Sequence, residues 1–205
     1  MGKSIMVVDG IVWSVIIGFL RKGNLKWLLD EKLFRWGWIF PVLLVLQFTI
    51  FYLQNNIDII GQASNYIFVI VYVIGLIFLW MNRDRKGISV LFLGVLLNFV
   101  VMLFNGGRMP VSAEAALVLD PSYIDAINNG LYAKHQLLTD STNLGFLGDI
   151  IPITSPYPKS QVISIGDVIM NIGIFIFIQD KMMESKKKLN DPPSKVNKLE
   201  GGEIV

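Results

Sequence analysis

The chain has 205 residues, 53% of them hydrophobic and 17% charged, with a mean hydropathy of +0.56; this balance excludes an ordinary soluble domain and places the protein in a membrane. A formal net charge of +2 supplies no basic face for nucleic acid, so the placement of lysine and arginine matters more than their sum. The absence of cysteine excludes disulfides, thiolate metal sites and a cysteine nucleophile.

A hydrocarbon core about 30 Å thick needs about 20 mostly apolar residues in helical form, because unsatisfied backbone groups are costly in lipid. Five stretches meet this requirement: Ser4–Leu20, Trp36–Leu53, Ser64–Met81, Ile88–Phe104 and Gln161–Gln179. The expected fold is all-α, a polytopic bundle of five transmembrane helices. The first stretch ends in Arg21 and Lys22 instead of a small-residue cleavage site, so it is expected to be retained. "MGKSIM" has Met6 where a myristoylation signal has Ser or Thr.

Basic residues set the orientation. The connection after the first stretch carries Arg21, Lys22, Lys26, Lys32 and Arg35; the one after the third carries Arg83, Arg85 and Lys86; the tail carries Lys181 and Lys186 to Lys188. The connection "NNIDIIGQASN" has no basic residue, and the long loop 105–160 has only Arg108, Lys134 and Lys159 against five acids. The N-terminus is therefore expected outside and the C-terminus inside.

Two connections have helical character of their own. In "NLKWLLDEKLFRW", Leu25, Leu28, Leu29, Leu33 and Trp36 recur at helical spacing, as in an amphipathic helix on the inner surface. In the outer loop, "DPSYIDAINNG" offers Asp120 as a cap, Pro121 at the first helical position and Gly130 as a stop. "PITSPYPKS" is turn chemistry leading into the last span. Residues 1–184 form a single transmembrane domain in this reading, and 185–205 a disordered cytoplasmic tail. No internal repeat is present, and five spans do not divide into equal halves, which argues against a self-contained inverted-repeat transporter.

Polar residues inside the spans are few: Asp9, Asn98, Asp167 and Asn171. Asp9 and Asp167 both fall about 8 to 9 Å from the outer ends of their helices, at about 1.5 Å per residue. Asn98 lies two turns before Asn105 on the same face, and Asp167 and Asn171 share a face one turn apart. The same level holds "NGGRMPVS", where Gly106 and Gly107 permit a sharp turn that leaves amides pointing into a concavity. Pro110 bars Met109 from helix, and Arg108 becomes the strong cation near two buried carboxylates. An Arg108 pair with Asp9 or Asp167 keeps the carboxylate charged, whereas protonation is the other way to satisfy it. The competing reading is structural: polar residues that bond helix to helix, and a glycine turn that simply ends a helix.

"NGGRMPV", "KHQLLTDSTNLGFLGDIIP" from Lys134 to Pro152, and "SIGD" from Ser164 to Asp167 resemble a family of small bacterial membrane proteins of unknown function, common in clostridia and their relatives. The resemblance covers most of the chain outside the tail. It implies a polytopic cell-membrane protein with no established activity. Its signature falls on Asn105, Gly106, Gly107, Met109, Pro110, His135, Asp140, Thr142, Leu144, Gly148, Asp149 and Asp167.

His135 is the chain's one histidine. With Asp140 and Asp149 downstream it has the makings of a proton relay, but zinc needs close ligand pairs that are absent, so no metal is expected. Ser112, Ser122 and Ser141 lack a nucleophile-elbow setting, and no phosphate loop or dinucleotide fingerprint is present, so no cofactor is expected. The expected site is an outward-facing polar pocket built from Asp9, Asn98, Asn105, Gly106, Gly107, Arg108, His135, Asp149, Asp167 and Asn171. Its ligand would be a small polar or anionic group or a lipid headgroup. Two alternatives remain: a membrane-embedded enzyme acting on lipid or peptide, and a subunit that works with a membrane-protein partner.

Overall fold

The structure is a computed structural model and describes residues 4–26, 33–53, 57–119, 124, 125, 127, 134–158 and 160–190. Among these the chain is mostly helical, with six named α-helices and four strands of three residues each. The elements are α1 (Ser4–Leu20), α2 (Ile39–Leu53), α3 (Asp58–Met81), α4 (Ile88–Leu103), β1 (Met109–Val111), α5 (Ala113–Ala116), β2 (His135–Leu137), β3 (Ile151–Ile153), β4 (Gln161–Ile163) and α6 (Ile165–Asn190). One described helix, α3, contains a segment long and apolar enough to cross a membrane, the 19 residues Ala63–Met81. Gly10–Leu20, Ile39–Ile50 and Ile88–Leu103 are apolar but shorter.

The element boundaries depart from expectation in instructive places. Gln161–Ile163, expected to open the last span, is strand β4, paired antiparallel with β3 so that Ile163 faces Ile151. The helix starts only at Ile165 and continues to Asn190, because Glu184 and Lys186 to Lys188 are good helix formers. Residues 185–190, expected in a disordered tail, are therefore helical. Six residues assigned to the outer connection, Asp58 to Ala63, are helical as part of α3. Of the expected inner-surface helix, residues 27–32 lie outside the described residues, while Leu25, Leu33 and Phe34 pack against an apolar cluster. The expected outer helix at 120–130 also lies largely outside them.

Packing runs outward from α6, which lies against both α4 and α1; α4 in turn packs on α3, and α3 on α2. Small residues make the central contact possible. A methyl added to Gly94 would lie 2.6 Å from Gly166 O, and one added to Gly87 would lie 2.4 Å from Gly173 O. Gly87 and Gly94 are two turns apart, as are Gly166 and Gly173, so the two helices run antiparallel with backbones in near contact. α1 meets α6 in the parallel sense: Gly10 abuts Asn171, and Gly18 abuts Met182. Gln179 Nε2 donates to Ser14 O at 2.6 Å, and Arg21 Nη1 donates to Gln179 Oε1 at 2.8 Å.

Apolar side chains fill the two ends of the bundle separately. Ile50, Phe68, Val101, Met102, Met109 and Leu147 form one cluster, and Phe78, Leu79, Ile88, Phe177, Ile178 and Met182 the other. The second cluster lies at the basic end. There Arg35 N donates to Asn82 Oδ1 at 2.7 Å, while Asn82 Nδ2 donates to Arg35 O at 3.1 Å. Lys86 pairs with Asp180 at 2.8 Å, and Lys181 with Glu184 at 2.7 Å. Between the ends large apolar side chains face outward, including Val42, Val45 and Phe48 of α2 and Ile70, Val73 and Ile77 of α3.

Candidate functional site

The opposite end of the bundle is closed by a small cap whose foundation is the turn after α4. Gly106 and Gly107 adopt φ values of 66° and 81°, open to glycine without strain. Gly107 N–H returns to Met102 O at 2.8 Å, ending the helix. A methyl on Gly107 would lie 2.9 Å from Asn65 O, so this glycine is also needed for the close approach to α3. The Gly107 amide, expected to face a ligand, is thus engaged by the helix end.

Asn105 ties this turn to a distant loop of the cap. Its Nδ2 donates to Val101 O and to Asn143 O, both at 2.7 Å, and its Oδ1 accepts from Asn143 N at 3.0 Å. Asn143 Nδ2 answers by donating to Phe104 O at 3.3 Å, and Asn65 Nδ2 donates to Gly106 O at 3.0 Å. Asn105, expected in the ligand site, thus forms a clamp between helix and loop.

Pro110 keeps the next residues extended, and β1 becomes the middle of a parallel arrangement. Met109 pairs with His135 and Val111 with Leu137 on one side, and Val111 bridges to Asp149 on the other. Register partners share a face and residues two apart along a strand share it too, so His135, Met109, Val111 and Asp149 belong to one face. Met109 belongs to the apolar cluster formed with α3 and α4, which directs this face toward the helices. His135 is 3% exposed and Asp149 0%, so both titratable groups are enclosed between cap and bundle. Gly148 permits the fit: a methyl there would lie 2.6 Å from Pro110 O.

Asp167 takes a role that its surroundings dictate. Ser164 precedes α6, and its Oγ accepts from Asp167 N at 3.0 Å, while Asp167 Oδ2 accepts from Ser164 N at 3.0 Å. This reciprocal capping box satisfies the helix start. Asn98 Nδ2 donates to Asp167 Oδ1 at 2.9 Å, and Ser164 Oγ lies 2.9 Å from Asn98 Oδ1. Asn171 Nδ2 donates to Asp167 O at 2.9 Å. Asn98, Asp167 and Asn171 are thus brought together, but as a joint between α4 and α6. The expected ion pair between Arg108 and Asp167 does not form, since the carboxylate already holds the Ser164 amide and the Asn98 side chain. The Asp9 side chain lies outside the described residues, so the other expected pair does as well.

Arg108 is half-buried and makes no ion pair with any described residue. Its neighbour across the strand start is a second cation, Lys134, which lies outside the expected site. Met109 N donates to Lys134 O at 2.7 Å, so the backbones bearing Arg108 and Lys134 run side by side. The Lys134 ammonium lies over the rings of Phe68 and Tyr72, 5.9 and 5.7 Å from their centres. Two of the three basic residues of loop 105–160 therefore stand on neighbouring backbone segments. The signal for Lys134 was its rarity in that loop. Lys134, Asn65, Asn143 and Ser164 make contacts in and around the cap and are absent from the expected set.

Residues 31–179 match the model of a family described as "Family of unknown function (DUF5317)". The matched stretch contains α2 to α5, the cap and α6 as far as Gln179. An uncharacterized protein of Thermotoga maritima is 32% identical over 172 residues, spanning 84% of this chain and 89% of its own. No solved structure matches.

Proposed function

The chain belongs to the DUF5317 family of unknown function, and from that premise we propose that it is a multi-pass cell-membrane protein whose outer cap holds an anionic group at Arg108 and Lys134. In this reading α1, α2, α3, α4 and α6 are five spans, with the N-terminus outside and the tail beyond residue 184 inside. Residues 1–184 make one transmembrane domain. The antiparallel contact of α4 with α6 and the parallel contact of α1 with α6 fit that alternation. So does the gathering of Arg21, Arg35, Arg83, Arg85 and Lys86 at one end. Exposed Trp38 and Trp80 lie toward that end and exposed Tyr52 and Tyr66 toward the other. The members of each pair, Trp38 with Tyr52 and Tyr66 with Trp80, are about 21 Å apart along α2 and α3 at about 1.5 Å per residue. That separation suits aromatic belts at two interfaces.

The observation that carries the anion reading is the Met109 to Lys134 hydrogen bond, which brings the backbones of two cationic residues side by side in a loop where basic residues are scarce. A half-buried guanidinium with no acidic partner among the described residues is matched in geometry to a phosphate or carboxylate. Asn105, Asn143 and the Asn98–Asp167 joint serve this site by fixing the turn and α6 beside it. Native mass spectrometry of the detergent-released protein tests the reading. Anionic adducts are expected on the wild type and lost from Arg108→Ala and Lys134→Ala; equal adducts on all three proteins contradict it.

A further inference from the structure

The depth of Lys134 narrows the class of ligand. Phe68 and Tyr72, the rings under its ammonium, follow Ala63 at the start of the 19-residue apolar segment of α3. They lie about 8 and 14 Å along the helix from that start, at about 1.5 Å per residue. Phe68 is fully buried, whereas Tyr72, Phe99 and Lys134 are half-buried. Tyr72 and Phe99 stack with their centres 6.4 Å apart, forming an aromatic wall whose half-buried rings leave part of their surface open. At this depth of a membrane-spanning helix the medium on that open side is lipid, not bulk water. A free hydrated ion would have to leave its water to arrive there. An ion carried on a lipid brings its own apolar part to the same level.

Resting on the anion site proposed above, we infer that its ligand is the phosphate of an anionic phospholipid of the outer leaflet. Arg108 offers the paired N–H donors that suit two phosphate oxygens, and Lys134 a point charge from below. Tyr72 and Phe99 form the apolar wall for the glycerol and the first acyl carbons. Asn65, on the same face of α3 one turn before Phe68, holds Gly106 O and so fixes the rim from which Arg108 projects.

Thermal unfolding of the full chain in a neutral detergent separates this inference from the broader one. Phosphatidylglycerol in mixed micelles is compared with inorganic phosphate at the same concentration, on the wild type and on Arg108→Ala/Lys134→Ala. Phosphatidylglycerol is expected to raise the wild-type Tm by several degrees, with inorganic phosphate leaving it unchanged and the double variant responding to neither. Equal shifts by both probes, abolished in the double variant, would overturn the lipid assignment and leave the anion site standing. No shift from either probe, or the same shift in the double variant, would overturn both. Should the double variant fail to fold, Arg108→Gln and Arg108→Lys replace it, with the response lost in the first and partly kept in the second.

Discussion

Asn105 and Asn143 hold each other across the cap: one asparagine amide both donates to and accepts from the other residue's backbone, at 2.7 and 3.0 Å. Asn82 does the same to the backbone of Arg35 at the basic end, at 2.7 and 3.1 Å. Each asparagine stands just past the end of a long helix, α4 or α3, and fastens a connecting segment to it. The device suits a connecting segment with too little apolar surface for a core of its own, which is fixed by polar bonds instead.

Replacing Asn105 by Ala leaves backbone groups of Val101 and Asn143 without their partner, at a cost of about 1 to 3 kcal/mol. The expected outcome is a cap that protease cuts faster while the helices stay protected. Asn82→Ala is expected to lower the melting temperature more, since Asn82 is fully buried and also donates to Phe78 O at 2.8 Å. Limited proteolysis and thermal unfolding of the two variants side by side check the contrast.

Glycine substitutions should split by sign. Gly94→Ala places a methyl 2.6 Å from Gly166 O, where backbone must move, so a loss of about 1 to 3 kcal/mol is expected from overpacking. Gly75 has nothing within 4 Å of the added methyl, and Gly75→Ala should stabilise α3 by about 0.5 to 1 kcal/mol through helix propensity. Melting temperatures of the two variants against wild type decide it.

Because the chain has no cysteine, single introduced thiols report topology cleanly. Ser141→Cys, exposed in the cap, is expected to react with a membrane-impermeant maleimide on intact cells. Asp84→Cys, exposed between α3 and α4, should react only after the membrane is opened. The reverse pattern would invert the proposed orientation.

The basic end should show an alkaline signature. Hydrogen bonding to Asp180, reinforced by its charge, raises the Lys86 pKa above its ordinary value. A raised lysine contributes its stabilisation in full below the unfolded-state value and loses it as pH climbs through the folded-state one. Lys86 is exposed and Asp180 half-buried, so solvent screening keeps the contribution small. The melting-temperature gap between wild type and Asp180→Asn is expected to hold at neutral pH and to close at high alkalinity.

The helices α1 to α4 were legible because long, nearly uninterrupted apolar runs favour helix. The start of α6 was not, although its signal was present: Ser164 and Asp167 spell a capping box, and reading the carboxylate as an ion-pair partner for Arg108 concealed it. β4 escaped notice because Gln161, Val162 and Ile163 look the same in a strand of three residues as at the head of a span. His135 and Asp149 read as loop residues, yet pairing with β1 buries both. Lys134 was hidden because Met109, the residue whose amide brings it beside Arg108, lies far away in sequence and no local pattern links them.

A double-mutant cycle on phosphatidylglycerol affinity tests most directly whether Arg108 and Lys134 serve one ligand. Two groups on a single phosphate should be coupled, so Arg108→Ala and Lys134→Ala together should cost less than their sum by about 1 to 2 kcal/mol. Losses that add to within about 0.5 kcal/mol, or affinity unchanged by either substitution, would contradict a shared site.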